Sequence, residues 1–176
     1  MMKKYYLILT VILLLIFFIL FTQEKIVNPF AKKKNLISFS PKKVDKMEIS
    51  LKGKKTVLGK KGNKWLIISQ KDSPAKTQDI NEFLDKLSSL ENLEIVSLNP
   101  QKNEIYEMTL EKGIKINLYN GKNKMIEFIL GKLGPSFSGC YLKIDNGKEV
   151  YYTQEDLRTF PSMLQDLQKN ETDFQL

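Results

Sequence analysis

From residue 44 onward the chain alternates between two hydrophobic periods. In VDKMEISL, residues 44–51, Met47, Ile49 and Leu51 alternate with Lys46, Glu48 and Ser50. That is the period of two expected of a strand with one buried face. Lys52-Gly53 reads as a turn, Thr56–Lys60 as a returning strand, and Lys61-Gly62-Asn63 as a second turn. Trp65-Leu66-Ile67-Ile68 alternates less and predicts a more deeply buried third strand, closing a three-stranded antiparallel meander. Ser73-Pro74-Ala75 is expected to break the sheet. The period then changes: Ile80, Phe83, Leu84, Leu87 and Leu90 form one apolar helical stripe. Thr77 or Asp79 is expected to cap this helix, with Asp79 and Glu82 fitting a capping box. Leu93–Leu98 reads as a short strand ended by Asn99-Pro100.

The pattern then recurs. Ile114, Ile116 and Leu118 alternate with polar residues, Asn120-Gly121 signals a turn, and Lys124–Leu130 predicts the next strand. A loop, GKLGPSFSG (131–139), leads to a strand over Cys140–Asp145, a hairpin turn at Asn146-Gly147 and a return strand over Lys148–Thr153. Leu157, Phe160, Leu164 and Leu167 mark a helical stretch that Pro161 breaks or restarts. Both halves run sheet then helix, which reads as a duplicated unit. The fold class predicted is α+β on an antiparallel sheet.

The first 43 residues are different. Tyr5–Phe21 carries no charge, Pro or Gly. As a helix it would reach about 25 Å, enough to cross a thinned bilayer core. Lys3 and Lys4 precede it, and no pair of small residues follows that would suit cleavage. It reads as an uncleaved anchor, a cleaved signal peptide being the alternative. Residues 22–43, Lys-rich and punctuated by Pro29 and Pro41, read as a tether. The division expected is an anchor at 1–21, a tether at 22–43, a domain at 44–170 with halves of about 44–98 and 105–170, and a tail at 171–176. Lys3, Lys4 and the α-amino group precede the apolar run, and Lys25, Lys32, Lys33 and Lys34 follow it, so charge taken alone leans slightly against a cytoplasmic N-terminus. The layout of a short N-terminal tail before a globular domain places the N-terminus in the cytoplasm and the domain outside.

Composition refines this picture. The formal charge of +8 is unevenly distributed. Residues 1–64 hold 15 lysines against Glu24, Asp45 and Glu48, whereas the remainder is net acidic. Only Arg158 among the 28 basic residues is an arginine, which argues against specific nucleic-acid recognition, where the planar guanidinium fork is favoured. There is no histidine and one cysteine, Cys140. The commonest general base and metal ligand is therefore missing, and no intramolecular disulfide can form.

No catalytic, cofactor-binding or metal-binding residue set is selected by spacing. In GKLGPSFSG, Gly131-Lys132 opens the loop and a strand follows it, whereas a phosphate-binding loop ends in Gly-Lys-Ser/Thr before a helix. DNGKE (145–149) lacks the spacing of a calcium loop and reads as a hairpin turn. Ser136, Ser138 and Cys140 lie together without a histidine to activate them. Cys140 shares its alternating face with Leu142 and Ile144, as an inert buried thiol would. Trp65, Tyr141, Tyr151 and Tyr152 could line a groove, although strands use aromatics routinely.

The order VDKMEISL, KKGNKWLI, SPAKTQDINEFLDKLSSL, INLYNGK, ILGK and PSFSGCYLKIDNGKEVYYT resembles the bacterial domain-of-unknown-function 4340 family over roughly residues 44–160. The matching letters include Trp65 after a Lys/Gly turn, Pro74-Ala75 before the helix, Gly121, Gly131, Gly139 with Tyr141, and Val150-Tyr151. Where that family often has Tyr-Gly-Leu followed by Pro, this chain has Ile105-Tyr106-Glu107-Met108. The resemblance implies one N-terminal anchor and a setting near ABC-transporter or gliding-type export components, and brings no catalytic residues. The expectation is a single-pass protein of the bacterial inner membrane with an extracytoplasmic domain. It would act as a non-enzymatic binding or scaffolding module with a protein partner, accessory to an ABC-type transporter or export complex. The alternative is a membrane-tethered enzyme acting on an envelope polymer or lipid.

Overall fold

The computed structural model describes residues 12–14, 37–91, 93–109 and 111–164. The chain divides into two compact units, 1–31 and 32–176. In the first, residues 12–14 are helical, and the rest of the expected anchor lies outside the described residues, as do the tether from 22 to 36 and the tail. No helix among the described residues is long and apolar enough to cross a membrane.

Among the described residues the second unit is mostly β: one nine-stranded antiparallel sheet with few, short helices. Its strands are β1 (Lys46–Leu51), β2 (Lys54–Lys61), β3 (Lys64–Ile67), β4 (Ser73–Pro74), β5 (Glu94–Ser97), β6 (Ile114–Asn120), β7 (Asn123–Leu133), β8 (Cys140–Ile144) and β9 (Val150–Thr153). The order across the sheet is β4-β3-β2-β1-β6-β7-β8-β9-β5. The two meanders join where β1 pairs with β6, with Lys46 opposite Tyr119 and Leu51 opposite Ile114. β5 follows the first meander in sequence yet pairs with β9 at the far edge of the second, Ile95 opposite Tyr151.

Alternation determines which side of each strand is dry. Met47, Ile49, Leu58, Ile116, Leu118, Phe128, Leu130 and Leu142 all point to one face and are fully buried. Helix α1 (Thr77–Ser88) lays Ile80, Phe83, Leu84 and Leu87 into the same core, and residues 159–164 form a further helical turn. Phe83 stacks on Phe160 at 4.7 Å between ring centroids. Ile37 and Phe39, within the expected tether, also pack on this core; Phe39 meets Phe128 edge-on at 6.3 Å. Burying each large apolar side chain contributes about 1.5–3 kcal/mol, so the helix stripe holds α1 on the sheet without help from capping.

Several expectations change in detail. The third strand stops at Ile67, and Ile68 enters a 3-10 turn, 45% exposed. Its side chain lies over Gly59, where a Cβ would collide with it. Ser73-Pro74 does not leave the sheet but adds a two-residue edge strand, a position where proline's missing N–H costs no ladder bond. Neither expected cap forms: Lys76 is the N-cap residue and makes no side-chain cap bond. Thr77 Oγ1 instead accepts the Trp65 amide at 3.0 Å, and Glu82 accepts from Gln78 at 2.8 Å. An open amide on β3 thus takes the hydroxyl that would have capped the helix. β7 runs on through Gly131–Leu133, shortening the expected 131–139 loop to residues 134–139. Pro161 sits early in the last helical turn and does not break it.

Candidate functional site

α1, the segment around Phe39 and the last helical turn all pack on the core face of the sheet. The opposite, outer face of the central strands carries most of their charged side chains, interleaved with half-buried Val57 and Ile129. Its two most buried charges are carboxylates. Glu48 on β1 has a side chain 13% exposed and Glu127 on β7 one 6% exposed. Both stand directly opposite Asn117 of β6, which lies between them in register.

Each carboxylate is shared by two lysines. Glu48 takes Lys46 at 3.0 Å and Lys55 at 2.9 Å, and accepts the Tyr119 hydroxyl at 3.0 Å. Lys46 also lies over the Tyr119 ring, 4.1 Å from its centroid. Glu127 takes Lys124 at 3.0 Å and Lys115 at 3.1 Å. Its backbone N–H is bound by Asp145 Oδ1 at 2.9 Å, which extends the polar row to the end of β8. Burial pushes both carboxyls up, but the lysine contacts outweigh it and hold each below its ordinary value. Both are thus held ionised. Asn117 Oδ1 is buried between them and takes no hydrogen bond among the described residues.

Further lysines occupy the same face. Lys61 and Lys64 are cross-strand partners, both exposed, and Lys61 reaches Asp72 at 2.6 Å. Lys143 of β8 stands opposite Ile129. Strand parity divides the lysines of residues 42–64: Lys46, Lys55, Lys61 and Lys64 share the outer face. Lys54 and Lys60 point the other way, with Thr56 and Leu58.

The aromatic residues that could have lined one groove are divided in the same manner. Trp65 is buried in the core, its Nε1 donating to Asn81 Oδ1 at 3.2 Å, and Tyr151 is buried as well. Tyr141 and Tyr152 are joined by Tyr106, which was not part of the expectation, in a row with centroid spacings of 4.8 and 5.6 Å. The Tyr106 hydroxyl reaches the Val96 carbonyl at 3.5 Å and that of Tyr152 the Ser138 carbonyl at 3.2 Å. These contacts fasten the 103–107 turn and the 134–139 loop to the sheet.

The shortened 134–139 loop exposes Phe137 (86%) with φ 57°. Ser138 Oγ bonds the Pro135 carbonyl at 3.5 Å. Cys140 is buried and desolvation pushes its thiol up to about 11, leaving little thiolate. Arg158 donates from its guanidinium to the Gly131 carbonyl, a structural tie between β7 and the segment before the last helical turn. No group of three or more possible metal-ligating side chains occurs among the described residues.

The Glu48–Asn117–Glu127 row was not singled out by sequence. One signal was available for Glu127: a lone carboxylate inside the apolar run KMIEFIL. Glu48 reads as one more outward polar residue, and only the β1–β6 pairing brings the two together. In comparisons with known proteins, no family model, no curated protein and no solved structure matches the chain.

Proposed function

We propose that this chain is a non-enzymatic binding or scaffolding module of the bacterial envelope. Tyr5–Phe21 anchors it in the inner membrane with the domain on the extracytoplasmic side, and it serves as accessory to an ABC-type transporter or export complex. The observation that supports this reading is the charged stretch of outer face at the centre of the sheet. α1, the last helical turn and the Phe39 segment pack on the core face, while the outer face across β2, β1, β6 and β7, bordered by Ile68 over Gly59 and by Tyr106 on Tyr141, carries paired lysines and carboxylates suited to a partner surface.

The polar row on that face favours binding over acid–base chemistry. A catalytic carboxyl is usually tuned up toward the working pH, whereas Glu48 and Glu127 are both tuned down by paired lysines.

Two finer readings belong to the same proposal. The halves are a duplicated unit, since β1 and β6 each open a meander and each meander is followed by a helix. The other is the family resemblance, and at its point of departure, Tyr106-Glu107-Met108, Glu107 has φ 57°. That is the left-handed conformation a glycine in a Tyr-Gly-Leu stretch would adopt without strain.

The test is cross-linking of the full-length protein in cells, followed by purification in mild detergent and identification of what is retained. The expected result is stoichiometric retention of a transporter or export component. Recovery of the chain alone, together with turnover of an envelope polymer or lipid, would replace this reading with the enzymatic one.

A further inference from the structure

The outer face has the chemistry of a contact with a plane of charge. Lys46 and Lys55 share one carboxylate, and Lys115 and Lys124 share another with Asp145 beside it, so the face from β2 to β7 carries more ammonium than carboxylate. An ammonium has three donors, and these pairings leave some of them outward. Lys61 and Lys64 extend the array to β3, with Asp72 the carboxylate against Lys61. Strands lie about 4.8 Å apart, so the cations from β3 to β7 spread over roughly 20 Å of pleated surface. Arginine forks suit a single anion held in a concave site, whereas dispersed, flexible ammonium groups suit a layer of many headgroups.

The sequence supplies such a layer. Residues 22–36 separate the apolar run from the described domain, and a chain of that length spans at most about 50 Å. A domain of this size is about 36 Å across, so the connector is long enough for the face to be turned to the bilayer. Tethering also keeps the bilayer at high effective concentration, so a modest attraction per lysine suffices.

We infer that the outer face of β3, β2, β1, β6 and β7, with Lys55, Lys61, Lys64 and Lys124 as its exposed cations, rests on an anionic phospholipid surface. This rests on the binding-module reading and names the surface that positions the module.

The experiment uses full-length protein in phosphatidylcholine vesicles and in vesicles containing about one third phosphatidylglycerol. Each lysine is labelled with an amine-reactive reagent and read by mass spectrometry. Labelling of Lys55, Lys61, Lys64 and Lys124 should fall several-fold in the anionic vesicles and recover in 1 M salt, where the Debye length is about 3 Å. Lys76 and Lys86, at the helix on the opposite side, should label equally in both. The double variant Lys61→Glu, Lys64→Glu should relieve the protection at Lys55 and Lys124. Equal labelling of the outer face in both vesicles overturns the proposal, as does equal protection of Lys76 and Lys86. Protection that appears only with an acidic protein partner overturns the lipid assignment and leaves the binding-module reading standing. If neither lipid nor any retained partner alters the face, both fall.

Discussion

Tyr119 donates its hydroxyl to Glu48 at 3.0 Å across the β1–β6 junction, where the two meanders meet. With Lys46 and Lys55 on the same carboxylate, this bond helps to close the sheet at its centre. Tyr119→Phe should cost about 1 kcal/mol, the usual worth of one such bond, and leave the lysine pairs in place. Thermal unfolding of the full chain measures it.

Acid should loosen the same row. Glu48 and Glu127 have an ordinary value of 4.5, and both are depressed in the folded protein. For a depressed carboxyl the stabilisation is complete above the unfolded value and is lost as pH falls through the folded one. Asp156 adds to this: burial pushes it up, but bonds from Thr159 and Arg158 hold it below its ordinary 3.8. The melting temperature is therefore expected to fall progressively below about pH 4.5. Lys55→Gln with Lys115→Gln should flatten that acid slope while lowering stability at neutral pH. An unchanged slope in the double variant would mean that these pairs contribute little.

The core offers a sharper mechanical test. Phe83 is buried, lies on the α1 stripe and stacks on Phe160. Phe83→Ala should cost about 3–5 kcal/mol by lost burial plus a cavity. A loss below about 1 kcal/mol would show that α1 does not carry this contact.

Thr56 predicts a change of the opposite sign. It stands opposite Ile49 on the core face, fully buried, and its Oγ1 has no partner among the described residues. An unmade buried hydrogen bond costs about 1–3 kcal/mol, so Thr56→Val, of nearly the same shape, should raise stability. Denaturant unfolding of both proteins decides it.

These cases show what alternation reveals and what it hides. The period of two at Met47, Ile49 and Leu51 locates the strand and its dry face, and the stripe from Ile80 to Leu87 locates the helix. Neither shows that β1 pairs with β6, or that β5 crosses to β9, because register between distant strands is a property of the assembled sheet. The Glu48–Asn117–Glu127 row depends wholly on that pairing and was hidden for the same reason. Thr77 and Pro74 show the same limit on a smaller scale: their local chemistry is that of a cap and a breaker, while the open edge of β3 uses both.

The last prediction concerns Glu107. Its φ of 57° places a side chain with a Cβ in the left-handed region, which costs a non-glycine residue about 1 kcal/mol. Its N–H bonds the Glu104 carbonyl at 3.0 Å, and the next amide, Met108, bonds Asn103 at 2.8 Å, so the turn is over-determined and holds the strain. The turn in turn presents the Tyr106 carbonyl to the Lys132 amide at 3.0 Å and the Tyr106 ring to Tyr141. Glu107→Gly removes the Cβ but adds freedom to the unfolded chain, and those effects oppose each other. Glu107→Asn keeps a side chain that tolerates this conformation and gives back less entropy. Asn should therefore stabilise the protein by a few tenths of a kcal/mol up to about 1, with Gly giving a smaller gain. Glu107→Val, β-branched and unsuited to positive φ, should destabilise it. Unfolding of the three variants under one set of conditions ranks them, and Val at or above the level of Glu would mean that the turn is not held left-handed in solution.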